Sequence, residues 1–481
     1  MLFIVILTIY LGALIAVGAI KASQIKTQED FSLAGRKLPT FVLVGTLLAT
    51  WIGTGSIFGN AQETFRVGMP AFILPIAGGL GIIALYFLAA RVRRANHFTI
   101  QDILEDRFGP WARILGTLTL FMAYVIIVSY QYRAGSAVLG YIFPDLNNEL
   151  AIVLVAVFVI IYTVLAGMYS VAYTDVANGI LMTLGLGLAL PILFSKAGGL
   201  EGISQALLPQ QGQLFGHYSL GALISILLPS FLLLLGDANM YGRFFSAESP
   251  EAAKKSAAWM LLGVVALECA IIAIALIGLS LVNQGALTTP ENTGHIVIHL
   301  AFNALPQWLG AILVATVVAV VVSTADSYLL APSSAMVRDV YQRFLNPNAD
   351  EKRIVMLSRM SVVALGLIAL GLAFTSDEFF YVALFAYTLY GAAITPVLMA
   401  ALFWPKATKQ GAIAAMTAGL LSAIGWQFVI ANGLFVEFTS PGFIQTSLIT
   451  LKDSGVDAVV PACIINITVL VGVSLATDKT A

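Results

Sequence analysis

Long apolar runs recur along the whole chain, separated by short polar intervals. Each run is long enough, at roughly 18 residues or more, to cross about 30 Å of hydrocarbon. The pattern predicts thirteen membrane spans, at 2–21, 40–66, 70–91, 109–140, 149–168, 172–196, 218–242, 253–283, 305–342, 355–375, 379–404, 410–431 and 456–476. The longest polar intervals, around 20–39, 198–217, 284–305 and 432–456, are loop-sized. The expectation is therefore an all-α polytopic membrane protein with a single transmembrane domain over 1–481. The first run, 2–20, lacks a basic n-region and a small-residue cleavage site, and reads as a retained span rather than a signal peptide.

Two spans carry the wrong residues for a helix at membrane depth. The stretch from Ala49 to Phe65, ATWIGTGSIFGNAQETF, holds three glycines, three threonines, a serine and an asparagine. The seventh span is interrupted at 236–242, GDANMYG. The two breaks are five spans apart, an odd number, so the blocks 40–196 and 218–404 would have opposite orientations. That is the layout of an inverted-repeat secondary transporter, with one extra helix at 2–21 and two more at 410–476. Broken helices in matching places point to a solute site at the midplane, where freed carbonyls can hold a cation. The alternative for either break alone is a close-packing face of small residues.

Composition narrows the class. The chain is 59% hydrophobic and 10% charged, against about 25% charged in soluble domains. A net charge of −1 gives no reason to expect nucleic acid. Cys269 and Cys463 sit in apolar runs and fit no disulfide or metal pattern, and the four histidines form no cluster. No nucleophile–base pair, metal motif or nucleotide loop suggests an enzyme.

Basic residues set the orientation. With the N-terminus outside, 20 of the 24 Lys and Arg fall on the inner side, Arg243 among them, 3 fall outside, and Arg133 lies within a span. The positive-inside rule then predicts an integral plasma-membrane protein of the bacterial inner-membrane type, its N-terminus outside and its C-terminus cytoplasmic.

Several stretches resemble the sodium:solute symporter family: DFSLAGRKLP (30–39), ATWIGTGSIFG (49–59), AGMYSVAYTDVANG (166–179), MYGRFFSAES (240–249) and STADSYLLAPSSAMVRDVY (323–341). Members of that family couple sodium to carriage of proline, galactose, sialic acid, pantothenate or choline. The resemblance implies a LeuT-type five-plus-five inverted repeat. It also implies a sodium ion held by the carbonyls of Ala49, Ile52 and Val320 and the hydroxyls of Ser323 and Thr324. Such oxygens are hard ligands suited to Na+. The alternative for the two hydroxyls is back-bonding within their own helix.

On a helix, Ser323 shares a face with Asp326 and Ser327. In some members the residue matching Asp175 joins these three around a second sodium, so one or two ions are expected. The alternative is that Asp175 caps its helix at the interface. Arg133 and Asp237 are the remaining polar anomalies. Arg133 can clamp a carboxylate in bidentate fashion and Asp237 can take an ammonium or hydroxyl, which suggests a zwitterion or polar organic acid. The alternative is that the two pair with each other, or with backbone, for structure. Trp51, Ser56, Tyr132 and Tyr241 are the other candidate pocket residues. The first break and YSVAYTDV look closest to the choline branch, but Asp237 stands where that branch carries a cage tryptophan, which argues against choline. Glu268 also lies within a span and reads as structural or cavity-facing.

The expected function is a secondary active symporter coupling inward Na+ flow to uptake of a small polar organic solute. Proton coupling through Asp175 or Asp326 is one alternative. A transporter-like sensor is another; the chain ends five residues after its last span, which argues against an attached signalling module. The oligomeric state is left open.

Overall fold

Within hydrocarbon every backbone N–H and C=O must find its partner inside the protein, and an isolated segment can do this only as a helix. The computed structural model, which describes residues 1–22, 27–376, 378–431 and 456–478, is correspondingly helical; its one β-bridge among the described residues joins Leu38 to Ala247. In chain order the helices used below are α1 (Leu2–Ala22), α2 (Thr40–Trp51), α3 (Asn60–Val67), α4 (Pro75–Ala95), α5 (Ile100–Phe108), α6 (Pro110–Ile142), α7 (Asn148–Lys196) and α8 (Leu220–Gly236). They continue as α9 (Ala238–Ser246), α10 (Pro250–Asn283), α11 (Gln307–Ala335), α12 (Glu351–Ala373), α13 (Phe380–Phe403), α14 (Lys409–Gly425) and α15 (Val459–Thr477).

Among the described residues ten helices are long and apolar enough to cross a membrane, and eleven when α2 and the bent continuation through α3 count as one span. The difference from thirteen has two sources. The runs 149–168 and 172–196 have no loop between them: α7 passes through both, and its backbone leaves helical geometry at Gly167 alone (φ 59°, ψ 172°). Only a residue without Cβ adopts that conformation at little cost. In α1, the apolar segment that qualifies is shorter, Leu2–Val17. Most of the interval 432–456 lies outside the described residues. Three of the polar intervals also contain short helices that hydropathy does not reveal, at Gln28–Leu33, Gly199–Ala206 and Ile296–Asn303.

Helix α11 forms the centre. Its residues are buried along nearly the whole length, and it packs against α7, α6, α1, α12 and α2. A helix apolar on all sides belongs in such a position. Outer helices show large apolar side chains to the surroundings instead, such as Leu80, Ile83 and Phe87 along one face of α4, which is how a lipid-facing surface reads. Helices α14 and α15 pack on each other and on α13.

Candidate functional site

The first break is built from backbone geometry. Helix α2 ends at Trp51, and Ile52 takes an extended conformation (φ −72°, ψ 92°). The chain resumes as a π-helical turn over Gly55–Gly59 and then α3, with a 50° bend between the two arms. A helix that stops leaves its last carbonyls without N–H partners. The central helix α11 meets them here. The Ser323 hydroxyl lies 2.9 Å from the Ala49 carbonyl oxygen and 3.5 Å from that of Val320. The Thr324 hydroxyl lies 3.5 Å from the carbonyl oxygens of both Ala49 and Ile52. Five buried oxygens, none with a formal charge, thus meet where the helix opens. The approach needs glycine at position 53: a Cβ there would lie 3.0 Å from Thr324 Cγ2 and 3.1 Å from its Oγ1.

A charged cluster lies further along α11. Asp175 is fully buried in the interior of α7, so it is not an interfacial helix cap. Its Oδ2 accepts from Thr46 (2.6 Å) and lies 3.8 Å from the Arg243 guanidinium. Arg243 also donates to Thr46 Oγ1 (3.0 Å), Ser327 Oγ (2.7 Å) and the Asn239 carbonyl (3.2 Å). Ser327 in turn donates to Asp326 Oδ1 at 3.3 Å. One oxygen of each carboxylate, Asp175 Oδ1 and Asp326 Oδ2, is buried without a hydrogen bond from the described residues. The charge count over the spans placed Arg243 with the inner-side residues; the structure places it 1% exposed beside two aspartates.

At the second break Asp237 is extended (φ −64°, ψ 117°) and caps α9. Its Oδ1 accepts from the Asn239 N–H (2.7 Å) and the Tyr124 hydroxyl (2.6 Å), and its Oδ2 from the Tyr328 hydroxyl (3.0 Å). Arg133 lies nine residues after Tyr124 on α6, about 13 Å along the axis at 1.5 Å per residue, and donates to the Ala373 carbonyl at the end of α12 (3.0 Å). The expected convergence of Arg133 and Asp237, on a solute or on each other, is therefore not the arrangement found. Tyr241 spans the break internally, its hydroxyl donating to the Leu235 carbonyl (3.2 Å).

Of the candidate solute residues, Trp51 and Ser56 do line a cavity, one of about 40 Å³ beside the first break. Its wall also includes Asn60, Glu268 of α10, and Phe380 and Tyr387 of α13, but not Arg133, Tyr132, Asp237 or Tyr241. Glu268 accepts from Trp51 Nε1 (3.1 Å) and Ser56 Oγ (3.3 Å).

Both ends are crossed by contacts. At one end, Gln62 of α3 donates to Glu378 (2.9 Å) and accepts from the N–H groups of Phe379 and Phe380 (3.4 Å each). His295 packs beside them against Phe58 and Phe379; burial, reinforced by the Arg133 guanidinium, lowers its pKa to about 4. At the other end, Arg113 at the start of α6 pairs with Asp102, with Glu105 (2.5 Å) and with Asp339 beyond α11 (3.2 Å).

The chain is similar to known transporters over most of its length. The sodium/proline symporter of Escherichia coli strain K12 is 28% identical over 463 residues, covering 92% of this chain and 90% of that protein. The high-affinity proline transporter of Bacillus subtilis strain 168 is 27% identical, covering 87% and 90%. A Na+-coupled sialic acid symporter, solved in a substrate-bound outward-open state, superposes with a TM-score of 0.81 at 16% identity, covering 99% of this chain and 98% of that one. A nucleobase-cation-symport transporter in a closed conformation gives 0.61 at 13% identity, covering 94% and 96%. The sodium:solute symporter family model matches residues 31–419, and the chain belongs to that family.

Proposed function

We propose that the protein takes up a small polar organic solute of the amino-acid or carboxylate type, driven by Na+ that enters with it. The observation that carries the coupling site is the meeting of the Ala49, Ile52 and Val320 carbonyls with the Ser323 and Thr324 hydroxyls at the helix break. Na+ binds there as a co-transported substrate, and the solute occupies the neighbouring cavity against Trp51 and Ser56. Replacing Ser323 and Thr324 together with Ala removes two of five ligands and should raise the Na+ concentration for half-maximal uptake many-fold. Unchanged sodium dependence at normal expression would remove the assignment.

A second ion sits between Asp175 and Asp326, beside Ser323 and Ser327, in this reading. The two carboxylate oxygens without hydrogen bonds support it, and Arg243 offsets only one of the two negative charges. Asp175→Asn should then flatten the sodium response of uptake and lower the sodium-to-solute ratio. Uptake driven by a pH gradient without sodium would instead favour protons as the coupling ion.

The chain crosses the membrane thirteen times in this reading. At 49 residues α7 would span about 74 Å at 1.5 Å per residue, more than twice the hydrocarbon thickness, so Gly167 divides it into two crossings. The blocks 40–196 and 218–404 are then the inverted repeats, each opening with a broken helix, and the basic residues keep the N-terminus outside.

A further inference from the structure

We infer that the transported solute carries a protonated amine, and that this amine pairs with Glu268 in the cavity beside the first helix break. The inference rests on the symport reading and narrows its solute class.

Glu268 lies in the middle of α10, only 5% exposed, among apolar neighbours. A carboxylate at that depth is costly and is retained for a reason. Its surroundings do not supply a structural one. Oε1 accepts from Trp51 Nε1 and Ser56 Oγ, while Oε2 takes no hydrogen bond from any described residue. No Lys, Arg or His lines the cavity, and no described cation forms an ion pair with Glu268. Elsewhere in the interior the buried acids have a cation or several donors beside them, although Asp175 and Asp326 each keep one oxygen free next to Arg243. Asp175 faces Arg243, Asp339 faces Arg113, and Asp237 accepts three hydrogen bonds. Glu268 alone meets the solute space with an oxygen to spare.

The rest of the wall suits a cation. Trp51 and Tyr387 present aromatic surface, which attracts ammonium groups. Ser56 and Asn60 add neutral polar atoms. Oε2 is an acceptor, so the solute must bring a donor, and a quaternary ammonium has none to give. Burying an amine against a carboxylate satisfies both charges, whereas a hydroxyl can donate to Glu268 but leaves its charge unanswered.

The test uses the full-length chain in proteoliposomes under an inward sodium gradient, with matched solute pairs: L-proline and tetrahydrofuran-2-carboxylate, alanine and lactate, γ-aminobutyrate and γ-hydroxybutyrate. Uptake should be confined to amine-bearing members. Glu268→Gln should weaken the apparent affinity for the transported amine about 100-fold, as for loss of a charge-assisted contact in a dry site, and Glu268→Asp should retain part of it. Sodium should raise the melting temperature of wild type and E268Q alike, which separates a lost contact from a lost fold. The inference is overturned by uptake of a member lacking the amine, by uptake of no amine in the panel, or by unchanged affinity in E268Q. Lumen acidification that accompanies uptake and vanishes in E268Q also overturns it, since Glu268 would then be the proton carrier. Absence of the sodium-induced melting shift in wild type would instead count against the sodium site itself.

Discussion

Individual residues separate what the sequence made legible from what it did not. Ser323, Thr324, Ala49, Ile52 and Val320 could be placed together because the resemblance supplied their partners, and the helix break was visible in its glycines. Arg243 was hidden: a count of charges by span treats it as one more inner-side cation, and only packing puts it between Asp175 and Ser327. A signal was present in its neighbours, since Phe244 and Phe245 follow it and are fully buried. Arg133 and Asp237 have backbone and hydroxyl partners rather than each other, in keeping with the structural alternative for them, and sequence alone does not reveal such partners. Two predictions belong at this scale. Asp237→Ala leaves Tyr124, Tyr328 and the Asn239 N–H without their acceptor and should cost stability of about 1–3 kcal/mol per orphaned group. Thermal melting should fall while solute affinity of the folded fraction holds; a selective loss of solute affinity would return Asp237 to the solute site. Gly53→Ala forces Thr324 aside, and crowding of this kind costs about 1–3 kcal/mol, so sodium affinity measured by uptake should drop about tenfold or more.

Elements are where hydropathy reads well and boundaries read poorly. Runs of apolar residues located nearly every long helix, because burial in lipid or in a lipid-like core demands them. The division at Gly167 was hard to place, since a single positive φ needs no polar loop. The helix α5 escaped the pattern because it is short, although its capping box is complete: Thr99 accepts from the Asp102 N–H, and the Asp102 side chain accepts from the Thr99 N–H. That helix locks the inner side. Burial alone would raise the pKa of Asp102, but the Arg113 and Arg338 guanidiniums and the Phe98 and Thr99 N–H groups outweigh it and hold the carboxyl below its ordinary value. Arg113→Ala removes the cation shared by Asp102, Glu105 and Asp339 and should loosen the lock. In a background lacking Cys269 and Cys463, a Ser334→Cys probe should then be labelled faster from the inside; equal labelling rates would mean that Arg113 does not restrain this entrance. At the outer side His295 stays neutral in the fold down to about pH 4, whereas in the unfolded chain it gains its proton near pH 6.5. The unfolded state therefore binds more protons between those values, and stability falls as pH drops from about 6.5 to 4, then levels. The melting temperature of His295→Gln should fall less than that of wild type across that window; parallel curves would show that His295 is not the group responsible.

At the scale of the whole molecule, the two broken spans are fastened to each other. Leu38, just before α2, and Ala247, just after α9, form a bridge with N–H···O distances of 3.0 Å from Leu38 to the Ser246 carbonyl and 3.0 Å from Glu248 to the Leu38 carbonyl. Contacts at Gln62 and at Arg113 cross the two ends, and the cavity with Glu268 lies beside the break that also frees the sodium-facing carbonyls. With solute and ion placed as proposed, both bear on the same stretch of backbone, and each should tighten the other's binding by an equal factor, as linkage requires. The five oxygens at that break have a further consequence, for bioenergetics. Carbonyls and hydroxyls are uncharged, so this site crosses the membrane with one positive charge when loaded and none when it returns vacant. An inside-negative voltage then pulls on the loaded step alone, by about 2.3 kcal/mol per ion at 100 mV, a bias worth roughly 40-fold in solute accumulation.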